Sequence, residues 1–285
     1  AALSSRRSLC DVMAPRCAVA VLILAALTAT PAQAWKNGPP DNKVTNSAAD
    51  CLAPPYSTHD WIADHARALL PSAARAWLDP HRVLMLIGTE APDYAKIEAF
   101  CGAPNRGYND TGQGRHDLRF DANGGITRDL PAQRAQEEYE KAVQAYRAGR
   151  PDHAAYFLGA AMHYIGDMAQ YGHTIKGETH HADIEEWVGA LTPSFAGGGV
   201  FEKFIVADGM TPRRADDAVL RTGRYTWTGT SPVLPPAAMD ARFGPAALAD
   251  TAFVASIGHC LNKAVNEAAD MLFGFYMAVV RPNAR

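Results

Sequence analysis

His163 and Asp167 stand four residues apart, and His181 and Glu185 repeat that spacing further along the chain. On a helix this interval places two side chains on one face, one turn apart. His173 lies between the pairs, just after Gly172, where the chain turns from one helix toward the next. Imidazoles and carboxylates converging from two helices and a turn are the groups that hold a divalent cation. The surroundings add weight, because His163 sits inside the apolar run FLGAAMHYIGD. An unpaired His or Asp buried there is costly, and a bound cation offsets that cost. The spacing alone is modest evidence, since ten histidines yield about one such pair by chance. A buried His–Asp hydrogen bond without metal is the competing explanation. His65, His81, His153 and His259 lack an acidic residue four positions on, so structural or surface roles are expected for them.

The elements that must position these groups read as mainly α. STHDWIADHARALL begins with Ser57 or Thr58 as N-cap, places Trp61, Ile62, His65 and Leu69 on one stripe, and ends at Pro71. A second helix is expected over 73–87. From 88 to 129 turn residues crowd together without a clear period, including the Asn123-Gly124-Gly125 corner. PAQRAQEEYEKAVQAYRAG is a strong helix, with Pro131 at its start and Gly149 past its end. PDHAAYFLGAAMHYIGDMAQ comes next after a tight turn. The two together have the form of one tetratricopeptide unit, but the chain has no second copy, which excludes a repeat array. Further helices are expected at 179–190, 213–224 and 246–280, the last broken near Gly258. The strand signal is confined to short pieces such as RYTWTG. The expected fold is all-α, a single-domain multi-helix bundle.

From Met13 the chain has a short basic start, an apolar run over 18–27 and the ending Ala32-Gln33-Ala34. These are the parts of a secretory signal peptide cleaved between Ala34 and Trp35. Residues 1–34 are thus expected to be upstream sequence plus signal, with Met13 as the start and 35–285 as the catalytic domain, secreted or periplasmic. The apolar run is too short to span a bilayer. Without Arg6, Arg7, Arg16 and Asp11, the formal charge moves from −3 to −5. No basic run appears, so a broad electrostatic grip on duplex nucleic acid is not indicated. Of the cysteines beyond the signal, Cys51 and Cys101 could pair in an exported chain, and Cys260 reads as a buried thiol. None has zinc-finger spacing.

Taken in order, the residues resemble the zinc-dependent bacterial phospholipases C, which share a fold with single-strand-specific zinc nucleases. The matching elements are a mature N-terminal Trp35, His59 in STHDW, Asp93 with Tyr94 in EAPDY, and His116 in GRHDLRFD. His163, Asp167, His173, His181 and Glu185 complete the pattern. The resemblance implies three zinc ions. Asp93, His116, His163 and Asp167 would hold one, and His173, His181 and Glu185 the second. The third would take the amino group and carbonyl of Trp35, together with His59 and a shared Asp167. His180 is a rival to His181, whose spacing to Glu185 is the better one.

The resemblance implies a secreted phosphodiesterase, a phospholipase C that uses zinc-activated water to release diacylglycerol and a phosphorylated head group. Asp93 would be a ligand or a general base, and Tyr94 would contact the head group. Glu185 favours the lipase branch, because the nucleases have Asp there. Gln113 stands where the lipases carry an aromatic residue for choline, which argues against a choline preference. No C-terminal lipid-binding β-sandwich is expected. The implied partners are a phospholipid substrate and transient contact with a membrane or micelle surface, with no stable nucleic-acid complex and a monomeric state. A single-strand nuclease of the same fold and a non-enzymatic metal-binding helical protein are the alternatives.

Overall fold

A computed structural model describes residues 56–93, 101–104, 108–195 and 197–283. All of them fall in one unit, residues 31–285. The expected signal segment, Trp35, Cys51 and Tyr94 lie outside the described residues.

Helices dominate: α1 (Thr58–Leu69), α2 (Ser72–Arg75), α3 (Arg82–Glu90), α4 (Leu130–Arg147) and α5 (Pro151–Asp167) come first. They are succeeded by α6 (His181–Leu191), α7 (Ala215–Thr228), α8 (Pro236–Arg242) and α9 (Thr251–Phe275). Strands β1 (Leu118–Phe120) and β2 (Ile126–Asp129) pair antiparallel as a small hairpin. Among the described residues, no helix is long and apolar enough to cross a membrane.

The centre of the bundle is α5. Every residue from Ala154 to Asp167 is buried, as expected of a helix that is apolar on all sides. Helices α3 and α4 pack along α5, while α9 packs against α1 and α7. The α3–α5 crossing is backbone against backbone. A Cβ on Gly159 would lie 2.0 Å from the Met85 carbonyl oxygen, and one on Gly88 would lie 2.0 Å from that of Tyr156. Only glycine allows the two helices to come this close. The aromatic side chains Trp61, Tyr156, Tyr164, Tyr171, Phe253 and Phe275 fill the surrounding core.

Several local expectations are corrected. The helix expected over 73–87 is broken into α2, a 3₁₀ turn at Asp79–His81 and α3. Pro80 is the cause, since its ring clashes with the carbonyl four residues back in a continuous helix. The turn-rich stretch between 88 and 129, which shows no clear period in the sequence, contains the hairpin, with Asn123-Gly124-Gly125 at its corner and Gly124 at φ +81°. RYTWTG is part of α7, not a strand. There Ala215, Ala218, Val219, Thr222 and Thr226 are buried at helical spacing, and that pattern overrides local β propensity. α9 runs unbroken through Gly258, where a Cβ would lie 2.3 Å from the Phe204 ring. That glycine makes room for a neighbour and does not end the helix. α8 is an element that the sequence does not announce. Cys260 is a buried free thiol, and Cys101 is disulfide-bonded.

Candidate metal centre

The last turn of α5 carries His163 and Asp167, both fully buried. His163 Nδ1 lies 2.6 Å from the Thr89 carbonyl oxygen at the end of α3. A carbonyl can only accept, so Nδ1 carries the proton and Nε2 keeps its lone pair. The close α3–α5 crossing brings that carbonyl within reach. Thr89 also donates its hydroxyl to Asp60 Oδ1 on α1 at 2.7 Å. Asp60 closes a capping box with Ser57 at the start of α1. One threonine thus ties α1, α3 and α5 together around His59 and His163. The His59 and His163 rings stack with centroids 4.0 Å apart, and His59 Nε2 lies 3.4 Å from Asp167 Oδ1.

The second Asp167 oxygen faces the loop before β1. His116 Nδ1 is 2.7 Å from Asp167 Oδ2, and His163 Nε2 is 3.4 Å from the same atom. The loop is anchored by Asp110, which accepts hydrogen bonds from the buried Arg134 Nε at 2.8 Å and from the Tyr164 hydroxyl. Asp93 closes this group. Its Oδ1 lies 3.5 Å from His116 Nε2 and 3.7 Å from His163 Nε2, and it accepts a hydrogen bond from the Thr111 hydroxyl.

A second group forms where the 3₁₀ turn Tyr171–His173 meets α6. Gln170 Oε1 accepts the Gly172 N–H at 2.7 Å, which fixes the turn. His181 Nε2 and His173 Nε2 lie 2.8 Å and 3.6 Å from Glu185 Oε1. The outer nitrogens also face carboxylates. His181 Nδ1 is 3.0 Å from Glu178 Oε1, and His173 Nδ1 is 3.7 Å from Asp117 Oδ1. Such partners orient a ligating imidazole. The His116 and His173 ring centroids, one from each group, are 6.3 Å apart.

These residues fit a metal. Asp167 Oδ1, both ring nitrogens of His173, His181 Nε2 and Glu185 Oε1 are buried and make no hydrogen bond. Burying that many polar atoms with ion-pair contacts but no hydrogen bond is costly, and a bound cation would engage them. Three sets converge tightly enough to hold an ion: His59, Asp93 and His163; His116, His163 and Asp167; His173, His181 and Glu185. The electrostatics agree. Burial raises the Asp93 carboxyl to about 7 and pushes Asp167 well above its ordinary value. Burial and the nearby imidazoles push His163 far down, so it is neutral. At His181 burial works the other way, but the Glu178 hydrogen bond and the Glu185 carboxylate raise it to about 10. Around Asp93 and Asp167, buried carboxylates beside the neutral His163 need a compensating positive charge.

The structure thus brings together His59, Asp93, His116, His163 and Asp167, and beside them His173, His181 and Glu185. His180 stands apart, half-exposed, near Asp183 and the Phe243 ring. His65 is a structural residue, with Nε2 3.2 Å from Glu202 Oε1. Thr89, Thr111, Asp117 and Glu178 join the site without having been expected there. For the last two a signal exists in the sequence: Asp117 comes directly after His116, and Glu178 precedes His181 by three residues. Thr89 and Thr111 carry none.

No curated protein matches this sequence. A family model described as zinc dependent phospholipase C matches residues 58–195. Among solved structures, the alpha-toxin of Clostridium perfringens from an avian strain is similar at 15% identity and a TM-score of 0.52, over 78% of this chain and 63% of the toxin. The alpha toxin of Clostridium absonum is similar at 15% identity and a TM-score of 0.51, over 80% of this chain and 65% of the toxin. The match therefore spans less than two thirds of either toxin, and at this identity it shows a common helical fold.

Proposed function

We propose that the chain is a secreted zinc phosphodiesterase, a phospholipase C that cleaves phospholipid to diacylglycerol and a phosphorylated head group; the match of residues 58–195 to the zinc dependent phospholipase C family model supports this reading. The observation that carries this proposal is the placement of Asp167, whose two oxygens face different histidines, one of which, His116, has its ring centroid 6.3 Å from that of His173 in the second group. Asp93, His116, His163 and Asp167 are assigned to one zinc, and His173, His181 and Glu185 to a second. Trp35, His59 and Asp167 are assigned to a third. Cleavage after Ala34 would then free the Trp35 amine, which ties secretion to completion of the site. When bound, zinc supplies Lewis acidity toward phosphoryl oxygens and lowers the pKa of water.

The chain's own groups do the rest. The Thr89 carbonyl holds the proton on His163 Nδ1 and keeps Nε2 available. Thr111 fixes one Asp93 oxygen through its hydroxyl. The Asp93 carboxylate is then positioned to take a proton from the attacking water, the role of a general base. Glu178 and Asp117 hold the His181 and His173 rings toward Glu185. Tyr94 is assigned to the head group.

The test is metal analysis of the cleaved protein beside an assay on phosphatidylcholine, phosphatidylglycerol and single-stranded nucleic acid. Two or three zinc ions per chain with release of diacylglycerol are expected. Zinc-loaded protein that cleaves only nucleic acid would overturn the phospholipase assignment. Protein that binds less than one zinc would overturn the metal assignment as well.

A further inference from the structure

The four residues His116-Asp117-Leu118-Arg119 reach both ligand groups. His116 faces Asp167 of the first, with Nδ1 2.7 Å from Oδ2. Asp117, the next residue, faces the second, with Oδ1 3.7 Å from His173 Nδ1. Arg119 joins the two. Its Nη2 lies 2.8 Å from that same Asp117 oxygen, and its Nη1 donates to the Gly172 carbonyl oxygen at 3.0 Å, one residue before His173. The Arg119 side chain is only 13% exposed, which sets it apart from a solvated surface ion pair. One guanidinium therefore spans from the chain next to His116 to the chain next to His173. A planar fork fixes the separation of two acceptors in a way that a single ammonium does not.

The strand that carries Arg119 is seated independently of the ligands. Leu118 is fully buried, and a Cβ on Gly223 of α7 would lie 2.3 Å from its Cδ2, so β1 and α7 are in close contact. Phe120 stacks on Trp227 of α7 with ring centroids 4.8 Å apart. Across the hairpin Arg119 stands opposite Arg128. Like charges directly opposite on two strands are unfavourable, and here each guanidinium is engaged at a ligand-bearing loop. Arg128 Nη2 donates to the Gly114 carbonyl oxygen, two residues before His116. Both arginines of the hairpin thus hold a backbone carbonyl beside a candidate ligand, and Arg119 alone of the two reaches across to the second group.

We propose that Arg119 is a positioning residue that sets the spacing of the two ligand groups, by bracing the Asp117 carboxylate against His173 while holding the Gly172 carbonyl to β1. The proposal rests on the metal assignment above and is independent of the substrate. Arg119 acts through Asp117 and the His173 turn. The loop bearing His116 has its own anchor, Asp110 held by Arg134, so the loss of Arg119 falls on the His173, His181 and Glu185 group.

Zinc affinity is measured on the cleaved protein by chelator competition, with His181→Ala marking the ion held by the second group. Arg119→Ala and Asp117→Ala are each expected to weaken that ion by about tenfold, the scale for a residue that orients a ligand. Because the two act as a unit, the double variant is expected to lose about tenfold as well, where independent contributions would multiply to about hundredfold. Arg119→Lys keeps the charge without the fork and should bind as weakly as Arg119→Ala. Arg119 lines a cavity of about 290 Å³ that is partly open to solvent, so added ethylguanidinium is expected to restore part of the affinity of Arg119→Ala, and ethylammonium none. Wild-type affinity in Arg119→Ala or Arg119→Lys overturns the proposal and leaves the metal assignment standing. A multiplied loss in the double variant, equal weakening of both ligand groups, or no difference between the two added cations does the same. Less than one zinc per chain in the wild-type protein overturns both.

Discussion

Asp240 clamps Thr179 with both carboxylate oxygens, accepting the Thr179 N–H at 3.1 Å on each and the Thr179 hydroxyl at 2.9 Å on Oδ2. The same carboxylate accepts the Tyr171 hydroxyl at 2.9 Å and the His180 N–H at 3.3 Å. One side chain on α8, outside the residues that match the family model, therefore holds both ends of the segment joining His173 to His181. Asp240→Ala is expected to weaken zinc at the His173, His181 and Glu185 group by roughly 10- to 100-fold, the usual cost of losing a residue that orients a ligand. Asp240→Asn, which keeps one acceptor oxygen, should fall between. Chelator competition with zinc counting checks this, with one ion lost before the others. Equal weakening of every zinc would refute the clamp.

The same carboxylate predicts a pH dependence. Burial opposes its ionisation, but the hydrogen bonds from Thr179, Tyr171 and His180 prevail and hold its pKa below the usual carboxylate range. A pKa that is lower in the folded state means the ionised form stabilises the fold. That contribution is complete above the unfolded value of about 4 and is lost as the pH falls through the folded value. Thermal melting of the metal-free protein should therefore show the widest gap between wild type and Asp240→Asn near neutrality. The gap should close on acidification below the usual carboxylate range.

Asp167→Asn keeps the shape of the side chain but removes the charge that faces His59 on one side and His116 on the other. Zinc content should fall, and turnover of any phosphodiester should drop by more than about 100-fold, beyond the loss of a residue that only orients a ligand. His180→Ala is the control, and both quantities should hold steady in it. Full activity in Asp167→Asn would remove the basis for the proposed function.

Gly166 predicts a steric test. A Cβ there would lie 2.7 Å from His59 Nδ1, so Gly166→Ala must push the His59 ring out of its stack on His163. The expected result is loss of the zinc assigned to His59 with the other two kept, read from zinc counts, and destabilisation of about 1–3 kcal/mol from overpacking. Gly159→Ala faces a carbonyl oxygen instead of a side chain and should destabilise more in denaturant unfolding, because a backbone cannot rotate away.

The Thr111 hydroxyl donates to Asp93, and its removal should show that the bond matters. Thr111→Val is expected to lower affinity at the Asp93, His116, His163 and Asp167 group by about tenfold, at the low end of the cost of losing such a partner. Stability of the metal-free fold should change little, since Thr111 is partly exposed. Isothermal titration with zinc distinguishes the two effects.

His163 with Asp167 and His181 with Glu185 are legible in the sequence because the four-residue interval is a property of the helix itself. The apolar setting of α5 points the same way, since a helix without a polar face must lie inside. His59, Asp93 and His116 carry no such local signal and stand out only through resemblance to a known ordered pattern. Thr89 and Asp240 are invisible in the sequence. Their partners lie 74 and 61 residues away along the chain, and a threonine or an aspartate at those positions is ordinary until the chain has folded. The strand expected at RYTWTG fails for a related reason, because packing of α7 outweighs a weak local preference.

By itself, then, the sequence determined the helical class, the ligand types and the pairs whose geometry a single helix enforces. Tertiary structure alone decided that these pairs converge on one centre. The Gly88–Gly159 contact lets α3 and α5 touch, which brings the Thr89 carbonyl to His163 and sets its tautomer. Asp110 and Asp240, through hydrogen bonds to distant elements, place His116 and the His173–His181 segment. Helical spacing is encoded within a few residues, whereas convergence depends on contacts between distant parts of the chain that form only as the core closes.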